Sequence, residues 1–522
     1  MMKGWHLGLL VLLFFYPVSC RTPPPPQSSP PEETKAYGDE LVTGVFHQPG
    51  VLNPLVTYQT IATSLFELLF DSLGEVVAEN KIEPSLAERW EITDEGRTWI
   101  FYLRKGVLFH DGTELTAEDL KFTFESLMKI PGGVYAANLL RYVKSFSAPS
   151  RYVFRVELSR YDHHFMGNTL LMDIVPRHLL QGTDLAKAPF NDHPIGSGPF
   201  RFVSRTDREI LFEANEHYFR GRPYLDRIRV RMVDFPQGYI DFVTGQLDHL
   251  LALQEGNYEF LLKIPDIKVY RKFTFPFLYF LGFNGKREVF HSPKVRRALG
   301  KLIDYRQFAA LLPDEKLEPA GGPIPPWETE TYEAPGEKAY DPEEGLRLLA
   351  EEGWKRPFRF TLLSDDAELS RKIVAEIQAQ FSRFGISVQA QFLPLVRMVK
   401  ELERRHFDAV LLFAFYHPWT FPYYGLWHSQ AVKDGANCFS YSNPAVDAAL
   451  DQSRLSPDER ERRVGLKRLQ KLLQEDSPAV FLFWRYNPVA FHKRFRGILE
   501  AYEPSSRLYR KIWVPKEEQK YE

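Results

Sequence analysis

Residues 357 to 392 read as strand, helix, strand, and that order dictates a partly parallel sheet in the C-terminal half of the chain. Phe358 to Leu363 is the first strand, and Ala367 to Phe384 is the helix. Ile373, Val374, Ile377 and Phe381 fall on one stripe of that helix, and Gly385 is its stop. Ile386, Val388, Ala390 and Phe392 then alternate at period two. Parallel strands cannot be joined by a tight turn, so a packed crossover is required. Asp365-Asp366, just before the helix, is expected to cap it.

Strand and helix signals alternate elsewhere too, with no internal repeat. Tyr152, Phe154, Val156 and Leu158 share one strand face, and 227–232 alternates as cleanly. Trp99 to Leu103 is almost wholly apolar, which predicts burial on both faces. Ser456-Pro457-Asp458-Glu459 is a helix start in which Ser456 caps, Pro457 takes the first helical position and Glu459 completes the capping box. Leu466, Leu469 and Leu473 form the stripe that follows.

The first 37 residues say where the chain works. Lys3, an apolar run from Leu7 to Tyr16, and Ser19-Cys20 have the layout of a secretory signal over residues 1–19. The run is shorter than the ~20 residues a membrane span needs. Residues 20–37 follow as a Pro-rich tether, too polar and stiff to pack a core. Val18-Ser19-Cys20 resembles the end of a bacterial lipoprotein signal, in which the cysteine takes a lipid; Pro17 departs from that pattern. The resemblance implies lipidation (palmitate) at Cys20, and a tether is the spacer that a globular domain on an anchor needs. The alternative is an ordinary signal peptide with an incidental cysteine.

About 485 residues remain, enough for two or three lobes. The 66 basic and 68 acidic residues nearly cancel, and no block of like charge marks a nucleic-acid partner. No later segment has 18 apolar residues in a row. With Cys20 lipidated, Cys438 has no partner and the mature fold has no internal disulfide.

No motif makes an enzyme. His110-Asp111-Gly112 invites a catalytic reading, but Asp-Gly is a turn signal, and Thr116 with Asp119 looks like the cap of the next helix. His163-His164 are adjacent, so they face apart; a surface pair is expected and no metal site. There is no His-Glu-x-x-His, no Cys-x-x-Cys, and Ser197 lacks the Gly-x-Ser-x-Gly elbow. No cofactor is expected.

Several segments in order resemble one family. Residues 83–90 (Glu-Pro-Ser-Leu-Ala-Glu-Arg-Trp), 103–112 (Leu-Arg-Lys-Gly-Val-Leu-Phe-His-Asp-Gly) and 115–119 (Leu-Thr-Ala-Glu-Asp) are similar to the signature of the peptide/nickel-type, family 5 extracellular solute-binding proteins of ABC importers. Leu52-Asn53-Pro54, Phe66-Glu67, Gly196-Ser197-Gly198-Pro199-Phe200, 221–226, 295–298, 322–326 and 340–342 agree in order, so the resemblance covers roughly residues 40 to 500. It implies an α/β fold, a bilobed periplasmic-binding-protein clamshell (class II, cluster C type) with an extra inserted domain. Lobe I would be 38–65 plus 176–271 plus 481–522, the inserted domain 66–175, and lobe II 272–480. Such a protein closes on ligand by hinge bending.

The resemblance also implies a ligand-binding set: Tyr58, Phe415, Tyr416, His417 and Trp419. In relatives the loop after strand 407–413 carries an Asp that pairs with the amino terminus of a bound peptide. Here no acid occurs between Asp408 and Asp434, and His417 stands at or near that place. Phe413, Phe415, Tyr416, Trp419, Phe421, Tyr423, Tyr424 and Trp427 crowd the segment, and at least half are expected to pack beneath it. A buried ammonium with no counter-charge costs several kcal/mol, so blocked peptides, opine-like compounds, sugars or a metal complex touching His417 become candidate ligands. The function implied is a membrane-tethered lipoprotein of the cell envelope, monomeric, that captures a peptide-like or other small polar solute for an ABC permease and its ATPase. The alternatives are a surface receptor or adhesion protein without an importer, and a nickel-chelate or oligosaccharide binder of the same family.

Overall fold

The structure, a computed structural model, describes residues 34–57, 60–78, 81–130, 140–250, 260–270, 276–312, 317–325, 340–354, 358–415, 423–434, 436–486, 488–498 and 505–521. Among them, two large sheets carry the fold. The first has seven strands and mixes parallel and antiparallel pairs. Its centre is Glu40–Val45, parallel to Arg227–Met232 on one side and to His249–Leu250 on the other. The second has six strands, with Phe358–Asp365 parallel to both Ile386–Leu393 and Ala409–Phe415. The crossover helix is Glu368–Ser382; its Ile373, Val374, Ile377 and Phe381 are fully buried, and Gly385 takes φ 73° at the stop. The strand–helix–strand reading thus holds, with the first strand two residues longer and the helix three residues shorter than expected. The expected cap is not made: Ala367 is the residue before the helix and no side chain caps it, while Asp365 accepts from the Ala367 N–H at 2.9 Å in the turn that precedes it.

Both large sheets are covered on both faces, the arrangement that parallel strands require. Leu41, Phe212 and Ile228 face a core that continues into Trp99, Phe101, Phe124 and Phe154 of the 66–175 segment. Val42, Phe242 and Leu250 face a smaller core on the opposite side. In the second sheet, Leu281, Phe360 and Leu362 pack on one side, and Leu278, Phe280 and Val410 on the other. Among the described residues, none of these four clusters holds residues of both large sheets. That separation is the structural content of a bilobed α/β molecule.

The 66–175 segment builds its own four-stranded antiparallel sheet from Ala87–Thr93, Thr98–Leu103, Val153–Leu158 and Val143–Ser150. The buried face of Val153–Leu158 is Phe154, Val156 and Leu158, as its period predicts. Thr98–Leu103 departs from expectation. Trp99, Phe101 and Leu103 are buried, but Ile100 and Tyr102 are half-buried, because only one face of this sheet receives the helix Ala117–Lys129. The helix start near residue 456 also shifts. The preceding helix, Pro444–Leu455, runs up to Ser456, so the cap passes to Asp458, which accepts from Arg460 and Glu461 N–H groups. Leu469 and Leu473 are buried there, while Leu466 is half-buried beside the tightly packed Gly465.

Two passages join the sheets. Ile267–Tyr270 ends one strand of the first sheet, and Phe277–Phe283 opens the second sheet. Ala479–Arg485 ends in the second sheet, and Val489–His492 returns to the first. Tyr270 pairs with Val489 on one side, and Phe277 with Arg485 on the other, so the residues that flank the two passages lie side by side. The Ala479–Arg485 strand lies whole in the second sheet, and the helix Thr60–Leu69 runs across residue 66 to pack on the C-terminal helix Ser505–Lys511.

Candidate functional site

The strand registers place one end of each sheet at the passages. In the first sheet Gly44 is level with Leu250, and Leu250 with Ala490, one residue short of the Val489–Tyr270 pair. The carboxyl end of Glu40–Val45 therefore points toward the passages. In the second sheet Phe415 is opposite Phe277, so Ala409–Phe415 ends there too, and its parallel neighbour runs the same way to end at Asp365, level with Leu412. Ligands of open α/β sheets sit outside the carboxyl ends of parallel strands. Here two sets of carboxyl ends face the same junction, which makes that junction the candidate site.

Of the residues expected to bind ligand, Phe415 closes its strand at the junction. Its side chain, and Tyr58, Tyr416, His417 and Trp419, lie outside the described residues, as does Cys20. Of the eight aromatics of the segment, Tyr423, Tyr424 and Trp427 are buried, with Trp427 stacked on Phe439 at 5.2 Å, and the side chain of Phe421 also lies outside the described residues. Phe413 is 41 % exposed and covers Phe277 and Tyr279 at 5.6 and 5.7 Å. Asp408 is at the far end of the strand, where Thr361 donates to it through N–H and hydroxyl at 3.0 and 2.7 Å.

One charge at the junction was not foreseen. Arg485 is 1 % exposed at the end of a strand whose seven residues are all buried, opposite Phe277. A guanidinium closing an apolar run, Ala-Val-Phe-Leu-Phe-Trp-Arg, is the sequence signal that would have singled it out.

A second constellation is titratable. Asp71 accepts from Tyr218 at 2.7 Å and Ser197 at 2.9 Å, yet burial pushes its carboxyl up to about 6. Asp173 is pushed well above the usual range by burial and by the nearby Glu67 and Asp71 charges. Ile174 N–H donates to the Asp71 carbonyl at 3.0 Å, which fixes Asp173 beside it. Ser197 is thereby explained: it anchors a buried acid and is no nucleophile.

His110-Asp111-Gly112 is a turn, and its histidine is a clamp. Gly112 takes φ 86°, and its N–H donates to the Phe109 carbonyl at 2.9 Å. Gly196 N–H donates to His110 Nδ1 at 3.2 Å, which places the ring proton on Nε2, 3.1 Å from the Gly198 carbonyl. Only neutral imidazole can make both bonds. Burial accordingly pushes His110 down to about 4. A depressed folded-state pKa means that the unfolded chain takes the proton first. The contribution is present above pH ~6.5 and is lost as pH falls through about 4, on the order of 3 kcal/mol in all. His110→Gln should therefore be less stable at pH 7 but show a shallower fall in melting temperature between pH 6.5 and 4. Parallel pH profiles for variant and wild type would refute the clamp. Thr116 and Asp119 make the expected cap, with Thr116 N–H donating to the Asp119 carboxylate at 2.8 Å.

His163 and His164 are not the surface pair expected. They open the helix His163–Leu170; His164 is buried, His163 is half-buried, and burial holds both well below the usual imidazole range. Adjacent helical residues do face apart, but here both directions meet protein. Among the described residues no group of three or more His, Cys, Asp or Glu is placed to hold a metal ion. Cys438 is a free thiol that burial pushes up to about 12. No helix of the described residues is long and apolar enough to cross a membrane.

Comparison with known proteins bears on this geometry. The model of the bacterial extracellular solute-binding proteins, family 5 (middle region), matches residues 81–436. The oligopeptide-binding protein AppA of Bacillus subtilis is 27% identical over 503 residues, 92% of each chain. The solved structure of AppA with a nonapeptide superposes with a TM-score of 0.78 over 92% of this chain and 100% of that one. The fold is shared at lower identity by DppA of Helicobacter pylori with the peptide STSA (TM-score 0.80, 23%, 92% and 99% covered). It is shared also by NikZ of Campylobacter jejuni with Ni(L-His) (TM-score 0.77, 21%, 91% and 99% covered).

Proposed function

The chain belongs to the family 5 bacterial extracellular solute-binding proteins, and from that premise we propose that it captures a peptide-like solute between its two sheets for delivery to an ABC permease. Members of this family bind solutes and are not enzymes. The observation that carries the proposal is the meeting of both sets of strand carboxyl ends at the two passages. Similarity to an oligopeptide-binding protein over 92% of both chains supports the ligand class.

In this reading 38–65, 176–271 and 481–522 form one lobe, 66–175 an inserted domain and 272–480 the other lobe, with the Ala479–Arg485 strand carried into the second lobe. The solute rests on Tyr58, Phe415, Tyr416, His417 and Trp419. The protein is a monomer on the outer face of a membrane, tethered by a lipid on Cys20. Labelled palmitate should enter the wild-type chain and not Cys20→Ala; label in both, or in neither, removes the anchor.

The absent carboxylate between Asp408 and Asp434 sets the specificity. Aromatic stacking replaces an ammonium anchor, so an acetylated peptide binds as well as its free-amine match. Trp419→Ala costs about 1–3 kcal/mol of binding, and binding that depends on the His417 charge changes between about pH 5 and 8. Calorimetry on matched free and N-acetylated peptides tests this. A strong preference for the free amine would show that another acid serves and would overturn the aromatic reading.

A further inference from the structure

The two halves also touch through residues outside the two passages, and the contact is charged. Arg454 lies on the helix Pro444–Leu455, whose Val446, Ala449 and Leu450 belong to a core of the second sheet. Asp162 caps the helix His163–Leu170, whose Phe165 and Leu170 belong to the core shared by the first sheet and the 66–175 segment. Arg454 Nε and Nη2 donate to the two Asp162 carboxylate oxygens at 2.8 and 2.7 Å. The side chains are 3 % and 1 % exposed. The guanidinium sits over Tyr424 from its own side at 4.8 Å and over Tyr142 from the other at 5.4 Å. A second, exposed bond crosses nearby, from Arg141 to Gln430 at 2.9 Å.

We propose that the Asp162–Arg454 pair is a clasp that holds the two halves together without ligand and sets how far the molecule opens. The proposal rests on the two-lobed reading, in which the halves rotate about the passages. The physical argument is the type of contact. Apolar packing would weld the two cores into one, but no hydrophobic cluster among the described residues spans both large sheets. Polar interfaces between domains are those that open and close. A bidentate Arg–carboxylate pair is geometrically specific and, against an apolar alternative, adds little stability. It therefore selects one closed arrangement and remains breakable when both groups regain water.

The test is electron–electron spin distance measurement on the full chain, refolded from guanidinium to remove any solute. Nitroxides are placed at Lys144 and Ala448, exposed positions on either side of the contact. Wild type should give one short-distance population. Arg454→Met should add a longer population of at least about half the molecules, with the circular dichroism of the folded chain kept. Asp162→Asn retains the cap acceptor and serves as the second variant; it should shift the distribution the same way. A folded Arg454→Met or Asp162→Asn with the wild-type distribution would overturn the clasp and make the contact a fixed part of one body. A longer population in wild type equal to that in both variants would overturn it as well. Failure of the peptide-binding reading leaves these distances unaffected, so the two proposals are judged separately.

Discussion

Arg494→Met should lower the stability of the chain by about 3–5 kcal/mol, the cost of leaving buried charge without its partner. Arg494 donates to Asp248 at 3.0 Å, to the Glu40 carbonyl at 3.1 Å and to Asp39. Both acids are buried. They also hold the main chain: Asp248 accepts from Val42 N–H, and Asp39 from Glu40, Lys520 and Tyr521 N–H groups. One guanidinium thus ties the first strand, the residue before His249–Leu250 and the C-terminal tail to one point. Denaturant unfolding followed by fluorescence should show the first transition moved to lower urea. Adding Asp248→Asn to Arg494→Met should recover part of the loss, because one stranded charge is removed. A loss below about 1 kcal/mol, or no recovery in the double variant, would contradict this account of the network.

Gly198→Val should cost about 3 kcal/mol or more, at the upper end of what overpacking does. A Cβ at Gly198 would lie 2.5 Å from the Leu68 carbonyl oxygen, and one at Gly196 1.8 Å from that of Leu69. These are backbone atoms and cannot swing aside. Neither glycine takes a positive φ. Close approach of two chain segments is the constraint instead, held by Gly198 N–H donating to Leu69 at 2.8 Å. Low expression or a depressed melting temperature is the expected readout. A stable variant that has lost only ligand affinity would move this segment into the binding site.

The elements that the sequence disclosed are those in which one local rule acts alone. Ile373, Val374, Ile377 and Phe381 repeat at helix spacing, and Thr116 with Asp119 is a cap whatever surrounds it. Ser456 was misread because two helices compete for it; its role depends on where Pro444–Leu455 ends. His163 and His164 were misread because their helix meets one of the second sheet's helices, nearly 300 residues on, where Arg454 binds Asp162. Arg485 and the Asp71–Asp173 pair are likewise products of distant segments meeting. The candidate site follows the same pattern. The aromatic run after Asp408 is visible in the sequence, while the junction of strand ends exists only in three dimensions.

The central claim is that solute is held between both sheets at the passages. Hydrogen–deuterium exchange tests it most directly, comparing the chain carrying its co-purified solute with the same chain refolded free of it. Bound solute should slow exchange together in 46–57, which follows the first sheet's central strand, and in 416–422, which follows Phe415 in the chain, with 271–276 and 486–488 slowed as well. Protection confined to one side, or none with solute at saturation, would contradict capture between the lobes.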